Sequence, residues 1–221
     1  MNYIYCHDAS ESITMLVRTL TEHLAQEKVL WLVSGGSGTL VTIEVANQLH
    51  TANLTNLFVT LSDERYGALG HPDENWQHLL DGGLSLPGAT LYRPLIGASR
   101  DDTTRQFGEW LMATVESVDY VIGLFGIGSD GHTAGIKPGS PAVTAETPTA
   151  GYTSEDFERI TITPAFIVHV DEALTQAFGA KKHPVIADLL ERDVPLTEQP
   201  AQLLKTIPIS TVFSDLKENH E

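Results

Sequence analysis

The apolar residues of this chain fall into short runs that end at glycines or polar residues. The run 120–125 is uninterrupted, which is typical of a parallel strand buried on both faces, whereas half-exposed strands alternate with polar positions. The last run contains Pro208, which an edge strand tolerates, and we therefore expect that strand at the edge of the sheet. The predicted strands are 29–33, 57–61, 90–93, 120–125, 166–170 and 207–213.

Between these runs, apolar residues recur at helical spacing. Asp101 or Asp102 is expected to cap one of the helices, and the threonine-rich stretch 137–154 is expected to stay outside the core, in a position suited to a lid. Strands alternating with helices predict a three-layer α/β fold with a mainly parallel sheet, in a single domain over residues 1–221. The predicted helices are 10–26, 39 to about His50, 101–116, 184–190 and 200–204.

The chain of 221 residues is strongly acidic, with 13 Lys and Arg against 29 Asp and Glu and a formal charge of −16. This charge repels nucleic acids and anionic membranes, so we expect neither as a partner. A small phosphorylated substrate would also be repelled, and its site therefore needs a local cluster of cations. Each Arg or Lys near a motif is informative for that reason.

Cysteine content and the N-terminus suggest a cytoplasmic protein. Cys6 is the single cysteine, and no C-x-x-C or His/Cys cluster suggests a metal site. The first residues lack the basic segment and apolar core of a signal peptide. We expect a protein without metal or cofactor, as a monomer or small homo-oligomer.

The strongest candidate chemistry follows the run 120–125, where three glycines surround Asp130 and His132. A carboxylate two positions from a histidine can fix the tautomer of the ring and leave the other nitrogen free to take a proton from water. The alternative is structural: Asp130 caps a following helix, and His132 is a packed or solvated side chain.

Two other strand ends carry polar residues. The turn 34–39 is rich in glycine and leads into a helix, an arrangement that offers backbone N–H groups to an anion, although any tight strand-to-helix connection can use such glycines. Asp63 and Arg65 follow the run 57–61. A guanidinium there can hold a phosphate, and the alternative is a salt bridge between Glu64 and Arg65.

The segment Gly126-Ile-Gly-Ser-Asp-Gly-His-Thr-Ala134 resembles the G-x-G-x-D-G-H-x-A signature of the 6-phosphogluconolactonase and glucosamine-6-phosphate isomerase/deaminase superfamily. Further segments resemble motifs of that superfamily in the expected order. They are the turn 34–39, Asp63-Glu64-Arg65 with Asn75, Arg159-Ile-Thr-Ile-Thr163 and Gly179-Ala-Lys-Lys182.

The resemblance implies a Rossmann-like domain that binds no nucleotide and hydrolyses a phosphorylated sugar lactone, 6-phospho-D-glucono-1,5-lactone. It assigns His132 as the general base and Asp130 as its partner. It also assigns substrate contacts to Gly36, Ser37, Gly38, Asp63, Arg65, Asn75, Arg159 and Lys182.

Two positions separate the branches of the superfamily. Arg65 stands where deaminases usually carry tyrosine, which favours the lactonase branch. Lys137 stands where deaminases carry glutamate and lactonases commonly phenylalanine, so it lies either on the surface or against the substrate. The alternatives are a glucosamine-6-phosphate isomerase/deaminase with Asp63 as its base, or a non-catalytic protein that binds a sugar phosphate.

Overall fold

The computed structural model of the protein describes residues 1–49 and 53–217. Its strands are β1 (Asn2–Tyr5), β2 (Val29–Val33), β3 (Leu57–Leu61), β4 (Asp63–Arg65), β5 (Thr90–Tyr92), β6 (Tyr120–Gly126), β7 (Thr149–Thr153), β8 (Glu158–Ile162), β9 (Glu172–Ala177) and β10 (Ile209–Ser214). Its α-helices are α1 (Ser10–Leu24), α2 (Thr39–Gln48), α3 (Asn75–Asp81), α4 (Arg100–Val115), α5 (Pro164–Ile167) and α6 (His183–Glu191).

Seven strands form one parallel sheet in the order β1-β10-β9-β6-β2-β3-β5. Strand β2 is buried along its whole length, and its side chains alternate between two cores. Trp31 packs on one face of the sheet with residues of α1, α2 and α3. Leu30 and Leu32 pack on the other face with residues of α4 and α6. The predicted three-layer α/β fold is therefore confirmed.

A second, antiparallel sheet of three strands has the order β4-β8-β7. Strand β4 begins two residues after β3 ends, and Arg65 is paired in register with Arg159 of β8. This sheet therefore brings two arginines, 94 positions apart in the sequence, to neighbouring positions on adjacent strands.

The predicted strand at 166–170 is wrong. Residues of this run form α5 and the turn that follows, and the buried strand is β9, a few residues later. Pro164 occupies the first turn of α5, where a missing N–H costs nothing, and a short, mainly apolar run does not distinguish a strand from a buried helix. His169 is consequently half-buried rather than enclosed in a strand.

Other expectations also need correction. β10 lies between β1 and β9 rather than at the edge, because the unpredicted strand β1 covers it. Within the stretch 137–154, Val143 and Tyr152 are buried in the core and β7 is paired with β8. Ser99, instead of Asp101 or Asp102, caps α4 by accepting a hydrogen bond from the Asp102 N–H.

Helix boundaries agree with the sequence pattern elsewhere, with small shifts. α2 ends at Gln48, and the predicted end near His50 lies outside the described residues. The predicted helix at 200–204 is a 3₁₀ helix, Pro200–Thr206. No helix in the described part of the chain is long and apolar enough to cross a membrane.

Candidate active site

A cleft of about 370 Å³ lies beyond the carboxyl ends of the central strands β2, β3, β6 and β9. This edge of an open α/β sheet is the usual place for a ligand. The cleft is lined by Ser34, Gly35, Gly36, Ser37, Asp63, Arg65, Asn75, Gly126, Ile127, Gly128, Ser129, His132, Ala134, Gly135, Asp156, Phe157, Arg159 and Lys182.

The loop after β6 joins Asp130 to His132. The Nδ1 of His132 lies 2.5 Å from Oδ1 of Asp130, and the same oxygen accepts the backbone N–H of His132 at 3.2 Å. Gly128 makes this contact possible, because a Cβ at that position would lie 2.1 Å from the Nδ1 of His132. The loop continues into a turn in which Thr133 forms a β-bridge with Ile136. No helix follows directly, so Asp130 does not cap one.

The hydrogen bond from His132 holds the pKa of Asp130 well below its usual range, and the positive charge of Lys137 lowers it further. Asp130 is therefore a carboxylate at neutral pH. A carboxylate at Nδ1 keeps the proton on that nitrogen, which leaves Nε2 of His132 as the basic atom. The ring of His132 lines the cleft rather than the interior, with one third of the side chain exposed.

Arg65 and Arg159 lie over the ring of Phe157, with guanidinium carbons 4.9 and 5.4 Å from the ring centre. Arg159 is buried, and its guanidinium lies 3.4 Å from Oδ2 of Asp63 and 2.8 Å from Oδ2 of Asp156. Its charge is therefore already balanced by two carboxylates. Hydrogen bonds from Ser154, Arg159 and Lys137 outweigh the effect of burial and lower the pKa of Asp156.

Arg65 and Lys182 have donors to spare. Arg65 donates to the carbonyl of Asp73 at 3.0 Å, but its buried Nε has no acceptor among the described residues. Lys182 lines the cleft, burial lowers the pKa of its amine, and no described residue accepts a hydrogen bond from its Nζ. Unpaired donors of this kind at the wall of a cleft suit an anionic ligand.

A buried carboxylate, Glu64, fixes the backbone under this wall. Its oxygens accept the backbone N–H groups of Arg65, Asn75 and Trp76 at 2.7, 2.7 and 2.9 Å. These bonds join β4 to the start of α3, and they replace the salt bridge to the Arg65 guanidinium that was one interpretation of the sequence. Burial raises the pKa of Glu64 to about 8, against the effect of the three N–H groups.

Most of the residues predicted from the sequence meet in this cleft. Gly38 is an exception: it is buried, and a Cβ there would lie 2.8 Å from the Cβ of Ser34, so it shapes the turn instead of lining the cleft. Asp130 does not line the cleft, but it is hydrogen-bonded to the Nδ1 of His132. The predicted residues that line it are Gly36, Ser37, Asp63, Arg65, Asn75, His132, Arg159 and Lys182.

Sequence reasoning missed Asp156 and Phe157. Both lie in the turn between β7 and β8 and line the cleft. The only local signal is their position just before Arg159, and it has meaning only once the hairpin is known. Among the described residues, no group of three or more His, Cys, Asp or Glu could hold a metal ion.

Comparison with known proteins identifies the family of this chain. A family model described as glucosamine-6-phosphate isomerases/6-phosphogluconolactonase matches residues 7–213. The curated 6-phosphogluconolactonase of Synechocystis is 25% identical over 163 residues, which span 67% of this chain and 66% of that protein.

Solved structures share the fold along nearly the whole chain. A 6-phosphogluconolactonase from Shewanella baltica has a TM-score of 0.81 at 18% identity and covers 97% of both chains. The 6-phosphogluconolactonase from Trypanosoma brucei has a TM-score of 0.74 at 22% identity, covering 96% of this chain and 94% of that one. Because the family model spans nearly all of the sequence, this chain belongs to the glucosamine-6-phosphate isomerase/6-phosphogluconolactonase family.

Proposed function

We propose that this chain hydrolyses 6-phospho-D-glucono-1,5-lactone to 6-phosphogluconate, a step of the pentose phosphate pathway. Family membership and the names of its relatives support a 6-phosphogluconolactonase. One observation carries the proposal: the His132 ring, hydrogen-bonded to Asp130, lines the same cleft as Arg65 and Lys182, each of which has a donor to spare. A cleft that combines a base with an anion-binding site suits an ester substrate that carries a phosphate group.

In the proposed reaction, Nε2 of His132 takes a proton from water as the water oxygen attacks the lactone carbonyl. The bond between the carbonyl carbon and the ring oxygen then breaks, and the imidazolium returns the proton to that oxygen. A backbone N–H of the glycine turns or one of the cleft cations stabilises the oxyanion. Asp130 stabilises the imidazolium between these two proton transfers.

Arg65 and Lys182 are the proposed phosphate ligands, assisted by the turn at Gly36 and Ser37. Both have free donors, whereas Arg159 would have to leave Asp63 and Asp156 to bind a phosphate. We therefore assign Arg159 to the sugar hydroxyls and to the orientation of Asp63. Asn75, whose Nδ2 donates to the Asp63 carbonyl at 3.1 Å, holds the same wall of the cleft.

One observation favours a second candidate, glucosamine-6-phosphate isomerase/deaminase activity. Asp63 lines the cleft as a buried carboxylate, and a deaminase needs a carboxylate base near carbon 2 of the sugar. The ion pair of Asp63 with Arg159 argues against this role, because the guanidinium already occupies Oδ2 of the carboxylate.

The decisive experiment is proton release from freshly prepared 6-phosphogluconolactone, corrected for spontaneous hydrolysis. We expect His132→Ala to lose about 10²–10⁴-fold in kcat, the usual contribution of a general base. The exposed His7, which does not line the cleft, provides the control His7→Ala and should keep full activity. Ammonia release from glucosamine 6-phosphate would identify a deaminase instead, and binding of either compound without turnover would identify a non-catalytic protein.

A further inference from the structure

Lys137 lies between two carboxylates of the site. Its Nζ is 3.5 Å from Oδ2 of Asp130 and 3.3 Å from Oδ2 of Asp156. The side chain is only 26% exposed and does not line the cleft, so Lys137 is neither a free surface cation nor a wall of the substrate site. The sequence suggested either a surface position or a contact with the substrate. In the structure, Lys137 instead forms ion pairs with two carboxylates of the site.

The two carboxylates belong to different halves of the site. Asp130 binds the Nδ1 of His132 through its other oxygen, and Asp156 binds the guanidinium of Arg159 at 2.8 Å. Lys137 thus joins the loop after β6 to the turn between β7 and β8. Its own backbone is fixed as well, because its N–H donates to the hydroxyl of Tyr152, which donates to the carbonyl of Gly135.

We propose that Lys137 is a positioning residue that holds Asp130 against His132 and offsets the negative charge that Asp130 places beside the ring. An ammonium group beside a carboxylate weakens the attraction of that carboxylate for an imidazolium. Without Lys137, Asp130 and Asp156 would also face each other with no cation between them. This inference extends the proposed function, since it concerns the base of that reaction.

The other charged groups around the pair have contacts that do not involve Lys137. Arg159 is bonded to Asp156 through its guanidinium, and the cleft cations are on separate elements. The charged groups that line the cleft with His132 are Asp63, Arg65, Asp156, Arg159 and Lys182. A change in the titration of the Asp130–His132 pair in a Lys137 variant can therefore be attributed to the lost ammonium group.

The test compares Lys137→Met, Lys137→Gln and Lys137→Arg with the control Lys181→Met. Lys181 is exposed, makes no ion pair with a described residue, and lies next to Lys182 without sharing its position on the cleft. Imidazole NMR signals are followed against pH without substrate, and the His132 signal is assigned by its loss in His132→Gln. The readout is the pH at which the Asp130–His132 pair takes up a proton.

We expect this midpoint to rise by roughly 0.5 pH unit in Lys137→Met and Lys137→Gln, since the ion pair is partly exposed and screened. It should return close to the wild-type midpoint in Lys137→Arg and stay unchanged in Lys181→Met. If the two neutral variants shift no more than Lys181→Met, the proposal is wrong. Because Met and Gln differ in polarity, one of these variants still tests the proposal if the other fails to fold.

Kinetics provide a second readout that depends on the proposed function. The acid limb of kcat/KM for the lactone should move by the same amount and in the same direction as the NMR midpoint, with KM within about twofold. A protein without lactonase activity would contradict the proposed function while the NMR titration still tested Lys137. An NMR shift with an unmoved acid limb would overturn the link between Lys137 and the reaction.

Discussion

Gly135 offers a quantitative test of how the loop after β6 packs against Asp63. Its φ is +73°, and a Cβ at this position would lie 2.5 Å from the Cβ of Asp63 and 2.6 Å from its Oδ2. Asp63 cannot retreat easily, because it is buried, bound to Arg159 and fixed at its carbonyl by Asn75. Gly135→Ala therefore imposes both backbone strain and overpacking.

The two costs can be separated. A left-handed backbone costs an alanine about 1–2 kcal/mol, and overpacking a filled site costs about 1–3 kcal/mol more. Gly139 has a φ of +64°, and a methyl group at its Cα would meet no heavy atom within 4 Å, so Gly139→Ala carries the first cost alone. We expect Gly135→Ala to be destabilised by about 2–5 kcal/mol and Gly139→Ala by about 1–2 kcal/mol.

The assay is urea unfolding of both variants beside the wild type, with thermal midpoints as a check at about 2–4 °C per kcal/mol for a chain of this size. The slope of the free energy of unfolding with urea should not change. Equal losses in the two glycine variants would refute the packing of Gly135 against Asp63. A smaller loss in Gly135→Ala than in Gly139→Ala would refute it as well.

Three further predictions concern the proposed base and the buried carboxyl group under the cleft wall. Asp130→Asn should lower kcat by about 10²–10³-fold with KM nearly unchanged, because the neutral amide no longer stabilises the imidazolium, and proton-release kinetics check this. Gly128→Ala should lose a similar amount, because its Cβ would displace the His132 ring; unchanged activity would contradict this geometry. Burial raises the pKa of Glu64 from 4.5 to about 8, so the folded state binds this proton more tightly than the unfolded state. The free energy of unfolding should therefore fall as the pH rises between about 4.5 and 8, and Glu64→Gln should remove that fall in urea titrations across this range.

The sheet could be predicted where apolar residues dominate a short segment. β2, β3 and β6 are such segments, and their bounds agree with the sequence pattern to within one residue. β9 could not be predicted in this way, because it is buried yet contains Glu172, Thr175 and Gln176. Two of these polar groups are satisfied across the fold: Glu172 accepts from the Tyr120 hydroxyl, and Gln176 donates to the Ser12 hydroxyl. Such partners are distant in sequence and leave no periodic signal.

The candidate site could also be predicted only in part. Residues at strand ends, such as Asp63 and His132, could be predicted to meet because the carboxyl ends of parallel strands share one edge. Asp156 and Lys137 could not, because their approach depends on the pairing of β7 with β8 and on the turn at the end of β6. The pairing of β8 with β4 is a contact between distant segments, and nothing in the local sequence specifies it.

The distribution of cations explains how a chain with a charge of −16 could bind the proposed anionic substrate. Arg159 and Lys137 each lie between two carboxylates, so they order the site without adding a net positive charge to it. Arg65 and Lys182 line the cleft without an ion pair to a described residue, and each has an unused donor. Because long-range charge opposes the approach of a phosphate, the attraction must come from these short contacts, where burial strengthens each charge-assisted hydrogen bond.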